Sequence, residues 1–205
     1  LELLECGKEE LKSIAATATF TSNIFFWLNS DYFSLGSEIK PLLHTWSLAV
    51  EEQYYILFPI FLMFTWRLGI KWILILLSIV FVISLGVAQW GAYNASNAAF
   101  FLLPTRGWEL LVGVFAAFYL KYNTYLKSLF LNQILSLLGL GMIVYSIIAF
   151  DESTPFPSLY ALIPTIGTGL IILSSTKQTL IHSLLGSKVL VGIGLISYSA
   201  YLWHQ

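Results

Sequence analysis

Charge is what this 205-residue sequence has least of. Asp, Glu, Lys and Arg together make up 10% of it, against roughly 25% in an average soluble domain. That supply is too small to cover the surface of a water-soluble globule. The 10 basic and 11 acidic residues nearly cancel, to net −1, and leave no basic footprint for nucleic acid. Cysteine is almost missing. Cys6 stands alone, which excludes an internal disulfide and a cysteine metal cluster. His, Asp and Glu show no metal-ligand spacing either, so no bound metal or cofactor is expected. No signal-peptide pattern precedes the first apolar run. No Pro/Gly/Ser linker or charge block divides the chain, and no internal repeat is visible. One domain is the simplest organisation.

Apolar residues fill the space that charge leaves. Hydrophobic side chains are 58% of the sequence and aromatics 16%, with mean hydropathy +0.80. Six runs approach the roughly 20 residues that cross a bilayer core: about 43–66, 72–90, 106–120, 131–150, 159–176 and 189–205. A seventh stretch, Ile14–Leu28, is short and rich in Thr, Ser and Asn, and either lies at the interface or spans. This pattern predicts an all-α membrane protein: a polytopic bundle of six transmembrane helices plus one short apolar segment, with the lipid bilayer as its partner.

The few charges orient it. Arg67 and Lys71, then Lys121 and Lys127, then Lys177 and Lys188 fall in alternate loops. By the positive-inside rule those loops are cytoplasmic, which puts His44, Asn94, Asp151 and Gln205 toward the outside. Trp27, Trp90, Trp108 and Trp203 lie near expected span ends, where an aromatic belt forms.

Against this background the stretch His44-Thr-Trp46-Ser47-Leu-Ala-Val-Glu51-Glu52-Gln-Tyr-Tyr55 stands out. A charge at mid-bilayer costs about 2.5–3.5 kcal/mol on insertion scales, so ionisable residues there point to function. Pro41 can start a helix and Pro59 should kink or interrupt it. At helical spacing His44, Ser47, Glu51 and Tyr55 share one stripe, and Glu52 lies on the adjacent face. His44 and Glu51 are two turns apart, about 10 Å along the axis, and can line one cavity. Imidazole and carboxylate suit proton transfer at a hydroxyl that must become a nucleophile. The competing reading is an interhelical polar clamp.

A second constellation is Arg106-Gly-Trp108-Glu109-Leu-Leu-Val-Gly113. Arg106 and Glu109 either neutralise each other at a helix start or hold an anionic group. Other signals are weaker. Gly139-Leu-Gly141 and Gly192-Ile-Gly194 suit close helix packing rather than a nucleotide cradle. Ser197, Tyr198, Tyr201 and His204 form a polar-aromatic stripe, His182 falls in a cytoplasmic loop, and Asn94-Ala-Ser96 matches a glycosylation acceptor.

Laid in order, these blocks resemble the acyltransferase-3 family of integral-membrane O-acyltransferases. The resemblance rests on Pro41–Tyr55, on Leu103-Pro-Thr-Arg106-Gly-Trp108-Glu109-Leu-Leu-Val-Gly113, and on Gly194-Leu-Ile-Ser197-Tyr198-Ser-Ala-Tyr201-Leu-Trp203-His204. Phe20-Thr-Ser-Asn23 and Tyr32-Phe33 also fit. It is nearest the branch fused to an SGNH-type domain. The family implies transfer of an acyl group, usually acetyl from acetyl-CoA or another acyl-CoA, to a hydroxyl of an extracytoplasmic carbohydrate. O-antigen, peptidoglycan and exopolysaccharide are the expected acceptors, and a bacterial inner membrane the expected location. It implies catalytic roles for His44, Glu51 and Glu52, and substrate contacts for Trp46, Ser47, Arg106, Glu109, Tyr198 and His204. It further implies a partial membrane domain over 1–205, with the family's first helices, including its histidine-bearing one, and its last helix outside this chain. An SGNH domain is expected downstream. The alternatives are a proton-coupled transporter and an acyl-group shuttle.

Overall fold

Helix is the only regular structure in the computed structural model, which describes residues 2–29, 42–122, 128–151 and 153–203. In chain order the helices are α1 (Glu2–Ala18), α2 (Ser22–Asn29), α3 (Thr45–Thr65), α4 (Ile70–Asn94), α5 (Ser96–Phe101), α6 (Leu103–Tyr122), α7 (Leu129–Ala149), α8 (Leu162–Ser174), α9 (Leu180–Leu185) and α10 (Lys188–Trp203). Short 3₁₀ turns at Trp66–Leu68 and Leu159–Ala161 follow α3 and precede α8.

Ile70–Asn94, Ser96–Tyr122 (α5 with α6) and Leu129–Ala149 are long and apolar enough to cross a membrane. The expected six spans would also need α3 and the shorter apolar helices ending in α8 and α10. In α3 the succession Glu51-Glu52-Gln53 lowers the hydropathy of an otherwise apolar 21-residue helix. That helix runs on through Pro59 to Thr65, so of the expected kink or interruption the interruption does not occur. A proline costs one backbone bond and crowds the preceding turn, yet apolar spanning helices tolerate it when neighbouring groups re-satisfy the backbone.

Ile14–Leu28 is two pieces rather than one. α1 stops at Ala18, Phe20 takes a left-handed conformation with φ 55°, and α2 starts at Ser22. The Thr21 N–H closes on the Ala16 carbonyl at 2.8 Å, and the Thr19 and Thr21 hydroxyls meet at 2.9 Å. Left-handed backbone costs a non-glycine residue about 1–2 kcal/mol, so contacts from elsewhere must hold this bend.

The chain forms two compact units, Leu1–Trp108 and Glu109–His204, with the boundary inside α6. In the first, Phe26, Leu43, Trp46, Val50, Phe100 and Phe101 make the core, flanked by Phe25, Trp27, Leu42 and Leu103. α4 contributes one buried face, Ile73, Leu77, Ser84, Ala88 and Gly91, at helical spacing. In the second unit α7 lies on α8 where Gly139 meets Gly167. A Cβ on Gly139 would stand 2.5 Å from the Gly167 carbonyl oxygen, and one on Gly167 would stand 2.7 Å from that of Gly139. After α7, Asp151 turns the chain. Hydrogen bonds from the Ser153 and Thr154 side chains to its carboxylate hold that carboxyl below the usual range.

Candidate functional site

α3 begins one residue after His44, and its two sides differ. Trp46, Ala49 and Val50 are buried at the spacing of one helical face, turned toward α2 and α5. Trp46 packs on Phe100 with centroids 4.5 Å apart and meets Phe101 edge-on at 5.6 Å. On the far side Glu51 and Tyr55 are exposed, while His44, Ser47 and Glu52 are half-buried. The expected Ser47–Glu51–Tyr55 stripe therefore looks out of the packed unit rather than into its core. A carboxylate on such a face needs water or polar protein beside it, because lipid leaves its charge unpaired.

Arg106 is brought to the packed side. Its guanidinium carbon lies 5.3 Å from the Trp46 ring centroid and 5.8 Å from that of Phe100. Each such contact is worth about 0.5–2 kcal/mol, rising as water is removed. The side chain is half-buried. Two aromatic faces thus fix the plane of a fork whose edge N–H groups match carboxylate or phosphate.

The break between α5 and α6 delivers Arg106 there. Leu102 is extended, with φ −93° and ψ 142°, and carbonyls around it accept hydrogen bonds from side chains. The Thr105 hydroxyl donates between the carbonyls of Ala99 at 2.6 Å and Leu102 at 2.7 Å. Asn23 Nδ2 donates to the Phe101 carbonyl at 3.1 Å.

Asn23 also joins α2 to α3. Gln53 Nε2 donates to Asn23 Oδ1 at 2.8 Å and to the Phe20 carbonyl at 2.9 Å, and Asn23 Nδ2 faces Gln53 Oε1 at 3.5 Å. The left-handed residue at the α1–α2 bend is therefore anchored by α3. Ser22 adds a buried bond to the Thr45 carbonyl at 3.0 Å. Asn23 and Gln53 were not among the residues expected at the site, nor were Phe100 and Phe101. An amide inside an apolar run was the available signal for the first two. Phe100 and Phe101 carried none beyond ordinary core hydrophobicity.

The remaining expected residues are dispersed. Glu109 follows Arg106 on α6 and belongs to the second unit, half-buried with its Oε1 buried. Tyr198 is 59% exposed on α10, a helix that buries no residue. His204 lies outside the described residues. His182 sits in α9 and is half-buried rather than loop-borne. Among the described residues no three His, Cys, Asp or Glu side chains gather in a metal-holding group.

Comparison with known proteins gives the arrangement a context. A family model described as an acyltransferase domain matches residues 13–205. An uncharacterized protein of Haemophilus influenzae is 30% identical over 178 positions, covering 82% of this chain and 73% of that protein. O-acetyltransferase OatA of Staphylococcus aureus is 30% identical over 207 positions, covering 95% of this chain. Peptidoglycan O-acetyltransferase OatA of Listeria monocytogenes is 28% identical over 207 positions, covering 92% of this chain. The match spans only 34% and 32% of the length of these two OatA proteins. No solved structure matches.

Proposed function

The chain belongs to the acyltransferase-3 family, and from that premise we propose that it forms membrane machinery of an O-acetyltransferase acting on a cell-envelope polysaccharide. Acetyl-CoA or another acyl-CoA is the donor substrate, and a carbohydrate hydroxyl outside the membrane is the acceptor. The printed activity of the OatA relatives supports acetyl transfer, and the Listeria relative's name supports peptidoglycan as the acceptor class. A downstream SGNH-type domain and a multi-pass place in a bacterial inner membrane belong to the same proposal.

One observation carries the reading: Arg106 held on the faces of Trp46 and Phe100. Acyl transfer is helped by oriented donors or a cation placed where negative charge develops. The acceptor oxygen attacks the thioester carbonyl, negative charge gathers on the carbonyl oxygen, the C–S bond breaks, and the acceptor's proton ends on the departing thiol. A guanidinium already fixed in place stabilises that charge, or the donor's phosphates, without reorganising during the reaction. His44 and the two glutamates at the start of α3 supply groups that can accept, orient and return the proton. Trp46, Ser47, Glu109, Tyr198 and His204 are assigned to the walls that contact donor or acceptor.

Glu51 is the place to test this. In the complete protein Glu51→Gln should lower O-acetyl content of the surface glycan roughly 10²-fold or more, read as acetate released by mild base. Unchanged acetylation, with the variant present in the membrane at normal level, would sink the assignment.

A further inference from the structure

We propose that Ser84 is a positioning residue for Arg106, its hydroxyl setting the first turn of α6 from the neighbouring helix α4. Ser84 Oγ donates to the Pro104 carbonyl at 2.6 Å and accepts the Trp108 N–H at 3.1 Å. Pro104 and Trp108 are four residues apart, the pair an α-helix joins directly. One hydroxyl from α4 therefore engages both ends of this turn and ties it to its neighbour. Arg106 sits midway in that turn of α6.

This is not the usual behaviour of a serine in an apolar helix. Ser78, on the same α4, donates to its own Leu74 carbonyl at 2.8 Å. Ser146 and Ser174 likewise donate four residues back, to Met142 and Leu170. That local bond is always available to a helical hydroxyl. Ser84 instead reaches across to α6 from a buried position.

A second grip lies one turn away. The fully buried Trp108 ring meets Phe81 of α4 edge-on at 6.1 Å. Trp108 is two residues beyond Arg106, about 200° round the helix. α4 thus holds one side of the turn while the guanidinium is delivered to Trp46 and Phe100 on the other. Without the hydroxyl, both ties from α4 to this turn are lost and the turn is free to shift against α4. Arg106 then leaves its place on the two rings.

The inference rests on Arg106 acting in acyl transfer, so the experiment reads its placement and its activity separately. In the complete protein, the ¹⁵N-guanidinium resonance of Arg106, identified by its loss in Arg106→Lys, should carry a ring-current shift from Trp46 and Phe100. Ser84→Ala should move that resonance toward the unstacked position and lower acetyl transfer at least roughly fivefold, since small misplacements of an oriented group are costly. Ser84→Thr keeps the hydroxyl and should retain both. If Ser84→Ala does not accumulate, Ser84→Cys, similar in volume and a poor donor, is judged by the same two readings. A resonance and rate unchanged by loss of the hydroxyl would overturn the proposal, as would a Thr variant as impaired as the Ala one. A shifted resonance in Ser84→Ala with full transfer in Arg106→Lys upholds the positioning role and removes Arg106 from the reaction.

Discussion

Asn23 and Gln53 show what a polar side chain does when apolar surroundings leave it few partners. Each amide spends its N–H groups on a backbone carbonyl that no helix satisfies, Phe101 for Asn23 and Phe20 for Gln53. The remaining donor joins the two amides to each other. The pair therefore anchors both the bend before α2 and the break before α6. Replacing Gln53 with Leu leaves Asn23 Oδ1 and the Phe20 carbonyl without their donor. Asn23 is buried, so its lost bond costs about 1–3 kcal/mol, while the Phe20 bond is exposed and adds little. Gln53→Leu should therefore lower the thermal midpoint in detergent by a few degrees. An unchanged melting temperature would show that the pair carries little stability. Arg106 belongs at this scale too. The spacing left it open between a surface pair with Glu109 and an anion clamp. The two rings beneath it fix the plane of its guanidinium, an arrangement compatible with either role.

At the scale of elements, glycine and proline act in opposite ways. Pro59 leaves α3 unbroken, whereas Gly139 and Gly167 allow α7 and α8 to touch backbone to backbone. Close approach through small residues is how helices associate in lipid, where burial gives no net hydrophobic gain. The expected Gly139-Leu-Gly141 packing signal is realised at Gly139 alone, since a Cβ on Gly141 would meet nothing within 4 Å. Gly139→Ala should therefore destabilise the protein by about 1–3 kcal/mol, the usual range for overpacking, while Gly141→Ala should be close to neutral. Equal midpoints for the two variants in a detergent melt would contradict that contrast.

For the whole molecule, orientation follows from the basic pairs Arg67/Lys71, Lys121/Lys127 and Lys177/Lys188 by the positive-inside rule. We propose that this puts the start of α3 outside, where a glycan acceptor would arrive. In a Cys6→Ser background, Ser153→Cys should react with a membrane-impermeant maleimide on intact cells. Gln178→Cys should react only after the membrane is permeabilised. The reverse pattern would invert the topology and put the His44 end away from an extracytoplasmic acceptor.

Sequence by itself determined the class, the longer apolar helices and the motif. Scarce charge and long apolar runs admit no other economical fold than a membrane helix bundle, and that signal is local to each segment. Residue order also carried the family, since the blocks around His44–Tyr55 and Arg106–Gly113 are specific as strings. The tertiary structure decided which groups meet. Arg106 reaches Trp46 past the break at Leu102, where Thr105 and Asn23 take up carbonyls and Ser84 bonds both ends of the next turn. Apart from the local bonds of Thr105, those contacts join residues from 20 to 78 positions apart, which no periodicity records. Periodicity put Glu51 on a stripe with Ser47 and Tyr55, but only packing could show that this stripe faces away from the core that holds Trp46.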